Sequence, residues 1–396
     1  MMTRTKRLLA PSAIGQTNRA RVLELLHREG PSSRAQLARQ LHVSRATVAT
    51  ILQPFLDDGL LIEGEPMPSS TMGGKPARPI WFHADGVHLG AMRISPTDVQ
   101  AARLGFDGAI VTRSRRTVRS RGQEQGPSAA EFRRAILAVS RHCFADANLL
   151  GIGVAASGMV NTATGTILSL HLAPALNGFC VSAELNREFD LPVYVDHHPR
   201  VQALGDKWFG HGRRLVDFAS VYTGEALGFG IVHHGEILRG EVGAGGESGH
   251  TVVDLNGTEC LCGRRGCWET VATLTWLRSQ AAKRGLADSA DLSCAALAVR
   301  AAAGEAPAVR LLDEYARNLA IGMANNDQVL ASTNYIVHGD AVGGGEAMRA
   351  RLQFWMEEFC PRRGLAPTVI FADSPDDMTL LGGGGLVLSS RLDTTV

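Results

Sequence analysis

The segment Gly246-Glu-Ser-Gly-His250, followed by Cys260-Leu-Cys262-Gly-Arg-Arg-Gly-Cys267-Trp-Glu269, constrains this chain more than any other. Three thiols fall within eight residues, separated by Gly263 and Gly266. Glycine reaches positive φ at no steric cost, so the backbone can turn tightly enough to aim neighbouring thiols at one point. A tetrahedral Zn²⁺ takes four N or S ligands, and Cys₃His is a closed, structural set. His250, just upstream in the same glycine-rich segment, is the natural fourth ligand beside Cys260, Cys262 and Cys267. The alternative is a redox pair or buried free thiols, although Cys-x-Cys bracketed by glycines suits a disulfide poorly. The expectation is a structural zinc staple over 250–267.

At 396 residues the chain is too long for one ordinary core, which implies two or three domains. The basic stretch Met1 to Gly15 lacks the apolar run of a signal peptide. Leu149 to Val160, the most apolar segment, is too short to cross a bilayer and is broken by glycines, so no membrane role is expected. Seven cysteines, three of them in the motif, fit a reducing cytoplasm better than a disulfide framework. The net charge of +1 conceals an asymmetry. Residues 1–83 carry eleven Lys/Arg against six Asp/Glu, a formal +5, which leaves −4 for the remainder. A basic head on an acidic body points to a polyanion partner for the head alone.

The head, residues 1–82, reads as helices and a wing. Thr17 to Arg28 is helical, with Ile14, Val22, Leu25 and Leu26 as its apolar contacts, and Gly30-Pro31 ends it. Ser33 and Gln36 form a capping box at the start of a second helix. Ser44 caps a third, in which Val48, Ile51, Leu52, Phe55 and Leu56 make a core-facing stripe. Pro54 is expected to kink that helix beyond its N-terminal end. Two short helices joined by a tight turn make a helix-turn-helix, whose second helix enters the major groove through its first residues. Ser44, Arg45, Ala46, Thr47 and Thr50 stand there, with Arg34 at the start of the preceding helix. Gly59–Glu63 and Pro79–Phe82 read as wing strands, and the Pro/Gly/Ser-rich loop between them offers Lys75 and Arg78 to phosphates or the minor groove. A mobile linker is the alternative for that loop.

From Val87 onward, short strands alternate with helices, an α/β pattern without an evident sequence repeat. Gly-Glu-x-Gly-His followed by Cys-x-Cys-Gly-x-x-Gly-Cys-x-Glu resembles the signature of the ROK family of repressors and sugar kinases, and the similarity runs through most of residues 84–390. The resemblance implies a two-lobed, actin-like body over 83–396, of the sugar-kinase and ribonuclease H-like type, behind a winged DNA-binding head. It also implies a set of kinase parts. Where family kinases carry Asp-x-Gly-Gly-Thr, this chain has His88-Leu-Gly90-Ala91-Met92, which leaves nucleotide phosphates without their cradle. Where the family has a catalytic aspartate, Asp196-His197-His198-Pro199 places His198.

The sugar pocket that the resemblance implies is half preserved. Glu247, His250 and Glu269 match residues that touch sugar hydroxyls, Gly158 matches a turn glycine, and His197 and His198 line the cleft. The asparagine expected near Ala173-Pro174-Ala175 is absent. Alternatively, Glu247 and Glu269 only orient the metal loop. Gly382–Gly385 is expected at the entry to the last helix, and His233-His234 on a hairpin surface with no second ligand set spaced to help. The sequence thus points to a non-enzymatic regulator of operator DNA, gated by a sugar or sugar derivative and acting as a homodimer or tetramer. A sugar kinase with an added head, or a regulator answering to a protein partner, are the alternatives.

Overall fold

The computed structural model describes residues 11–66, 77–83, 86–118, 127–170, 172–240, 245–360, 367–373 and 377–392. The head begins with α1 (Pro11–Glu29), which starts a turn and a half before the expected Thr17; the side chain of Ile14 lies outside the described residues. Gly30, at φ 79°, turns the chain out of α1 and into a short strand, β1 (Ser32–Ser33). In α2 (Arg34–Gln40), the Ser33 hydroxyl accepts the Gln36 N–H while the Gln36 side chain accepts the Ser33 N–H, the expected reciprocal cap. Helix α3 (Arg45–Asp57) is capped by Ser44, whose hydroxyl accepts the Thr47 N–H, and Pro54 sits inside it. Strands β2 (Leu61–Glu63) and β3 (Pro79–Phe82) pair antiparallel, and β1 adds to the free edge of β3. Val22, Leu26, Leu37, Val48, Leu52, Leu61 and Ile80 close a core of their own, so the head is a winged helix-turn-helix.

The first lobe of the body contains β4 (His88–Ile94), β5 (Asp98–Leu104), β6 (Ile110–Thr117), α4 (Ala129–Phe144), β7 (Leu149–Ala156), the hairpin β8 (Met159–Asn161) and β9 (Thr166–Ser169), α5 (Val181–Phe189) and β10 (Val193–His197). Helix α6 (His198–Phe209) leads to the second lobe. That lobe contains β11 (Phe218–Thr223), β12 (Gly228–His233), β13 (Glu236–Ile237), α7 (Glu269–Ala272), α8 (Leu274–Lys283), α9 (Cys294–Ala302), α10 (Ala306–Leu330), β14 (Asn334–Gly339), α11 (Gly345–Phe359) and β15 (Thr368–Phe371). The chain returns to the first lobe through α12 (Met378–Leu392).

The two five-stranded sheets have one topology. Their orders are β10-β7-β4-β5-β6 and β13-β12-β11-β14-β15. In each, an antiparallel meander is extended on its first strand by two parallel strands. The body is therefore a structural repeat that no sequence periodicity betrays. Gly382–Gly385 lies inside α12, not at its entry. There a Cβ on Gly382 would stand 1.9 Å from the Val201 carbonyl oxygen of α6. The glycines permit backbone-to-backbone packing of α12 on α6 and β7, which joins the lobes at their base. Among the described residues no helix is long and apolar enough to cross a membrane.

Candidate functional site

The motif loop folds as its glycines require. His250 closes a short 3₁₀ turn, Ser248–His250, and Gly263 and Gly266 adopt φ of 83° and 69°. A Cβ on Gly266 would fall 1.5 Å from the Asp254 carbonyl oxygen, so only glycine fits there. The donors converge: Cys260 Sγ lies 3.6 Å from His250 Nδ1, and Cys262 Sγ lies 3.6 Å from Cys267 Sγ. All four ligand atoms fall within 4.8 Å of one another. Thiolates on a tetrahedral Zn²⁺, with bonds of about 2.3 Å, stand about 3.8 Å apart, so the donor set and its spacing fit this ion. A disulfide would need about 2.05 Å. Burial, followed by the neighbouring Cys262 and Cys260 thiols, pushes the Cys267 thiol up to about 12, a cost that a bound cation would offset. The loop is anchored next door, where the fully buried Trp268 donates its indole N–H to the Asn318 carbonyl at 2.7 Å. Cys260→Ser is expected to release the metal and lower Tm by more than about 5 °C, read by metal analysis and calorimetry.

The same loop reaches the cleft between the lobes. Glu269 opens α7, with Oε2 3.6 Å from His250 Nδ1 and Oε1 accepting the Leu227 N–H at 3.3 Å. Glu247 Oε1 lies 3.2 Å from Nδ1 of His197, at the end of β10 in the other lobe. Burial works to raise the Glu247 carboxyl, but His197, Arg200 and His250 outweigh it and hold the group below its ordinary range. His198, the first residue of α6, packs edge-on to Tyr222, with its Nε2 3.1 Å from Thr379 Oγ1. Although the residue keeps a solvent-facing rim, loss of hydration lowers its pKa to about 3, helped by the nearby His197, Arg93 and His338. The imidazole is therefore neutral at physiological pH. Gly158 (φ 81°) lies at the turn between β7 and β8, where a Cβ would press to 2.2 Å from the Ser169 carbonyl oxygen. No hydrogen bond or ion pair joins it to the Glu247–Glu269 group among the described residues.

Sequence reasoning missed the contacts that tie the lobes together here. Buried Asp196 accepts Arg200 Nε at 2.7 Å and, across the cleft, Arg239 Nε at 2.8 Å. Arg200 Nη1 donates to the Gly245 carbonyl at 2.9 Å, while Nη2 is buried without a hydrogen-bond partner. The i,i+4 spacing of Asp196 and Arg200 was a legible signal; the approach of Arg239 was not.

In the head, Ser44, Arg45, Ala46, Thr47 and Thr50 are all exposed along the first turns of α3. Arg78 is exposed at the foot of the wing, and Lys75 lies outside the described residues. Arg34 is half-buried and pairs with Glu63 of β2, which ties the wing to α2.

The head also docks on the body. His27 enters a socket of Phe82, Trp208 and Phe209, with ring centroids at 6.1, 5.1 and 5.2 Å, and its Nε2 donates to the Phe106 carbonyl at 2.8 Å. Arg213 caps the end of α1 by donating to the His27 carbonyl at 2.9 Å, and Lys207 Nζ lies 3.4 Å from Glu24. Burial lowers the His27 pKa from 6.5 to about 4, against the opposing pull of the Phe106 hydrogen bond. An undocked His27 titrates near 6.5 and binds a proton that the docked form excludes. The His27 contribution to docking is thus fully present above that pH and is lost as pH falls toward 4. Amide exchange in α1, corrected for intrinsic rates, should rise by up to about tenfold per pH unit across that window, and should be flat in His27→Asn.

The sequence matches the ROK family over residues 90–389 and a winged helix-turn-helix DNA-binding family over residues 17–62. A glucokinase of Halalkalibacterium halodurans is 30% identical over 267 residues, covering 63% of this chain and 79% of that protein. A xylose repressor of Caldicellulosiruptor bescii is 25% identical over 357 residues, covering 85% and 86%. The crystal structure of a ROK family transcriptional regulator, a homolog of the Escherichia coli MLC protein, superposes with a TM-score of 0.81 at 23% identity, covering 96% of this chain and 98% of that one.

Proposed function

Because the chain belongs to the ROK family and carries a winged DNA-binding head in front of it, we propose that it is a homodimeric transcriptional repressor gated by a sugar or sugar derivative. The observation that carries this reading is the course of α6. Its first residue, His198, stands in the cleft, and its last two turns hold the head through Lys207, Trp208 and Phe209. Twelve helical residues make a rigid rod of about 18 Å between the two places.

A polyol seated on Glu247 and Glu269 competes with the cross-lobe contact His197–Glu247, so open and closed lobes differ in affinity for it. Movement of α6 then alters the head spacing that a palindromic operator requires. A coupling of about 1–3 kcal/mol is enough for roughly 5–150-fold. Zinc on His250, Cys260, Cys262 and Cys267 would hold the loop that presents both carboxylates; it supplies no chemistry. We assign no phosphotransfer to the chain: His198, hydrogen-bonded to Thr379, stands where the resemblance puts the general-base aspartate, and His88-Leu-Gly90-Ala91-Met92 lacks the second glycine and the threonine that would cradle nucleotide phosphates.

The test is fluorescence anisotropy of the full chain on duplex DNA from its own upstream region, at fixed salt. Xylose and glucose head a sugar panel. Release of DNA by one sugar, lost in Glu247→Gln, is the expected result. Tight binding indifferent to every sugar removes the gating and favours a protein partner. Sugar-dependent ATP turnover restores the kinase reading.

A further inference from the structure

Away from the cysteine loop and the cleft, the structure brings together a second set of metal-ligating side chains. We propose that Asp217, His233 and His234 form a binding site for a borderline divalent transition cation of the Zn²⁺, Ni²⁺ or Co²⁺ class. The backbone builds the site in two steps. The antiparallel register of β11 and β12 sets Phe218 opposite Val232, so Asp217 stands across from His233 and on the same face. Successive residues of an extended strand point to opposite faces, which would carry His234 away. Instead His234 adopts φ 52°, and this left-handed turn swings its ring back over His233, with centroids 4.0 Å apart at 43°.

The three ligand atoms fall within 4.8 Å of one another. His233 Nδ1 and Asp217 Oδ1 are 2.8 Å apart, yet they lack hydrogen-bond alignment, and the nitrogen is buried and unpartnered. That geometry suits two donors converging on a third point better than a donor facing an acceptor. Cis ligands about 2.1 Å from an octahedral ion stand about 3.0 Å apart. The same Asp217 oxygen, Oδ1, also accepts the His234 N–H at 2.8 Å, a bond that orients the carboxylate. Two imidazoles and one carboxylate, half-buried or exposed, leave positions for water and select a borderline ion over a hard one such as Mg²⁺. Glu236, paired with His233 on the other side, adds negative charge nearby.

The hairpin lies at the seam between head and body. The carbonyl of Gly235, the residue after His234, accepts Lys207 Nζ at 2.6 Å, and the same ammonium reaches Glu24 of α1.

The experiment adds Co²⁺ to the full-length protein with zinc already in the cysteine loop. The expected result is one further equivalent, seen by equilibrium dialysis, with weak d–d absorption and no thiolate-to-cobalt charge-transfer band. His234→Asn keeps a residue tolerant of positive φ and should weaken that equivalent at least tenfold, as should His233→Ala on the strand. Binding of no further equivalent, a charge-transfer band, or unchanged affinity in both variants overturns the proposal. Equal circular dichroism and Tm of variant and parent show that any loss is not unfolding.

Discussion

Replacing Arg45 by alanine is expected to weaken binding to the operator by about 10- to 100-fold while changing affinity for scrambled duplex far less. The argument begins at Ser44, whose hydroxyl caps α3 and fixes where the helix begins. Arg45 is then the first helical residue; it is exposed and has no ion pair among the described residues. At that place on a recognition helix a guanidinium can reach a guanine edge with two parallel hydrogen bonds, an interaction of roughly 1–3 kcal/mol of discrimination. Ala46, Thr47 and Thr50 around it are small, so the helix can sit close to the bases. Arg78, exposed beside the wing, should behave differently, with a modest loss shared by every sequence and a shallower salt dependence. Arg34 should cost affinity indirectly, because its pairing with Glu63 holds the wing in place. Anisotropy with operator and scrambled DNA, at two salt concentrations, separates these three. If Arg45→Ala weakened both duplexes equally, Arg45 would be a phosphate contact and base reading would rest on other residues.

Where local chemistry determines the structure, the sequence was legible. Ser33, Gln36 and Ser44 cap because their side chains satisfy nearby N–H groups whatever lies further away. Gly263 and Gly266 turn the cysteine loop for equally local reasons. The contacts between remote segments were not legible. Nothing near Asp196 announces that Arg239, forty-three positions later, completes its pairing. The hairpin position of His233-His234 was legible, but Asp217 reaches them through strand register, which a linear scan for ligand spacing does not see. The docking of His27 on Trp208 and Phe209 depends on how two domains meet. Nor does the twofold use of one sheet topology have a sequence counterpart, because a fold fixes which strands pair without fixing their residues.

The largest stability effect is expected at the one helix whose sequence argues against being a helix. Four consecutive glycines, Gly382–Gly385, lie inside α12, and each costs about 1 kcal/mol relative to alanine in a helix interior. By propensity alone, alanine at any of them should stabilise the protein. Packing reverses this at Gly382, where a Cβ would stand 1.9 Å from the Val201 carbonyl oxygen and 2.7 Å from its carbonyl carbon, backbone atoms of a neighbouring helix that cannot move aside. At Gly384 the nearest atoms are the ends of flexible side chains, Leu104 Cδ1 at 2.9 Å and Leu89 Cδ1 at 3.3 Å. Gly382→Ala should therefore destabilise by about 3 kcal/mol or more, with the overpacking cost exceeding the helix gain. Gly384→Ala should fall within about 1 kcal/mol of the parent, the two terms nearly cancelling. Denaturant melts of the two variants provide the comparison. Equal destabilisation would mean that α12 answers to side-chain volume in general. Stabilisation at Gly382 would mean that α12 and α6 can separate without cost, and α6 could then not serve as the rigid link between cleft and head.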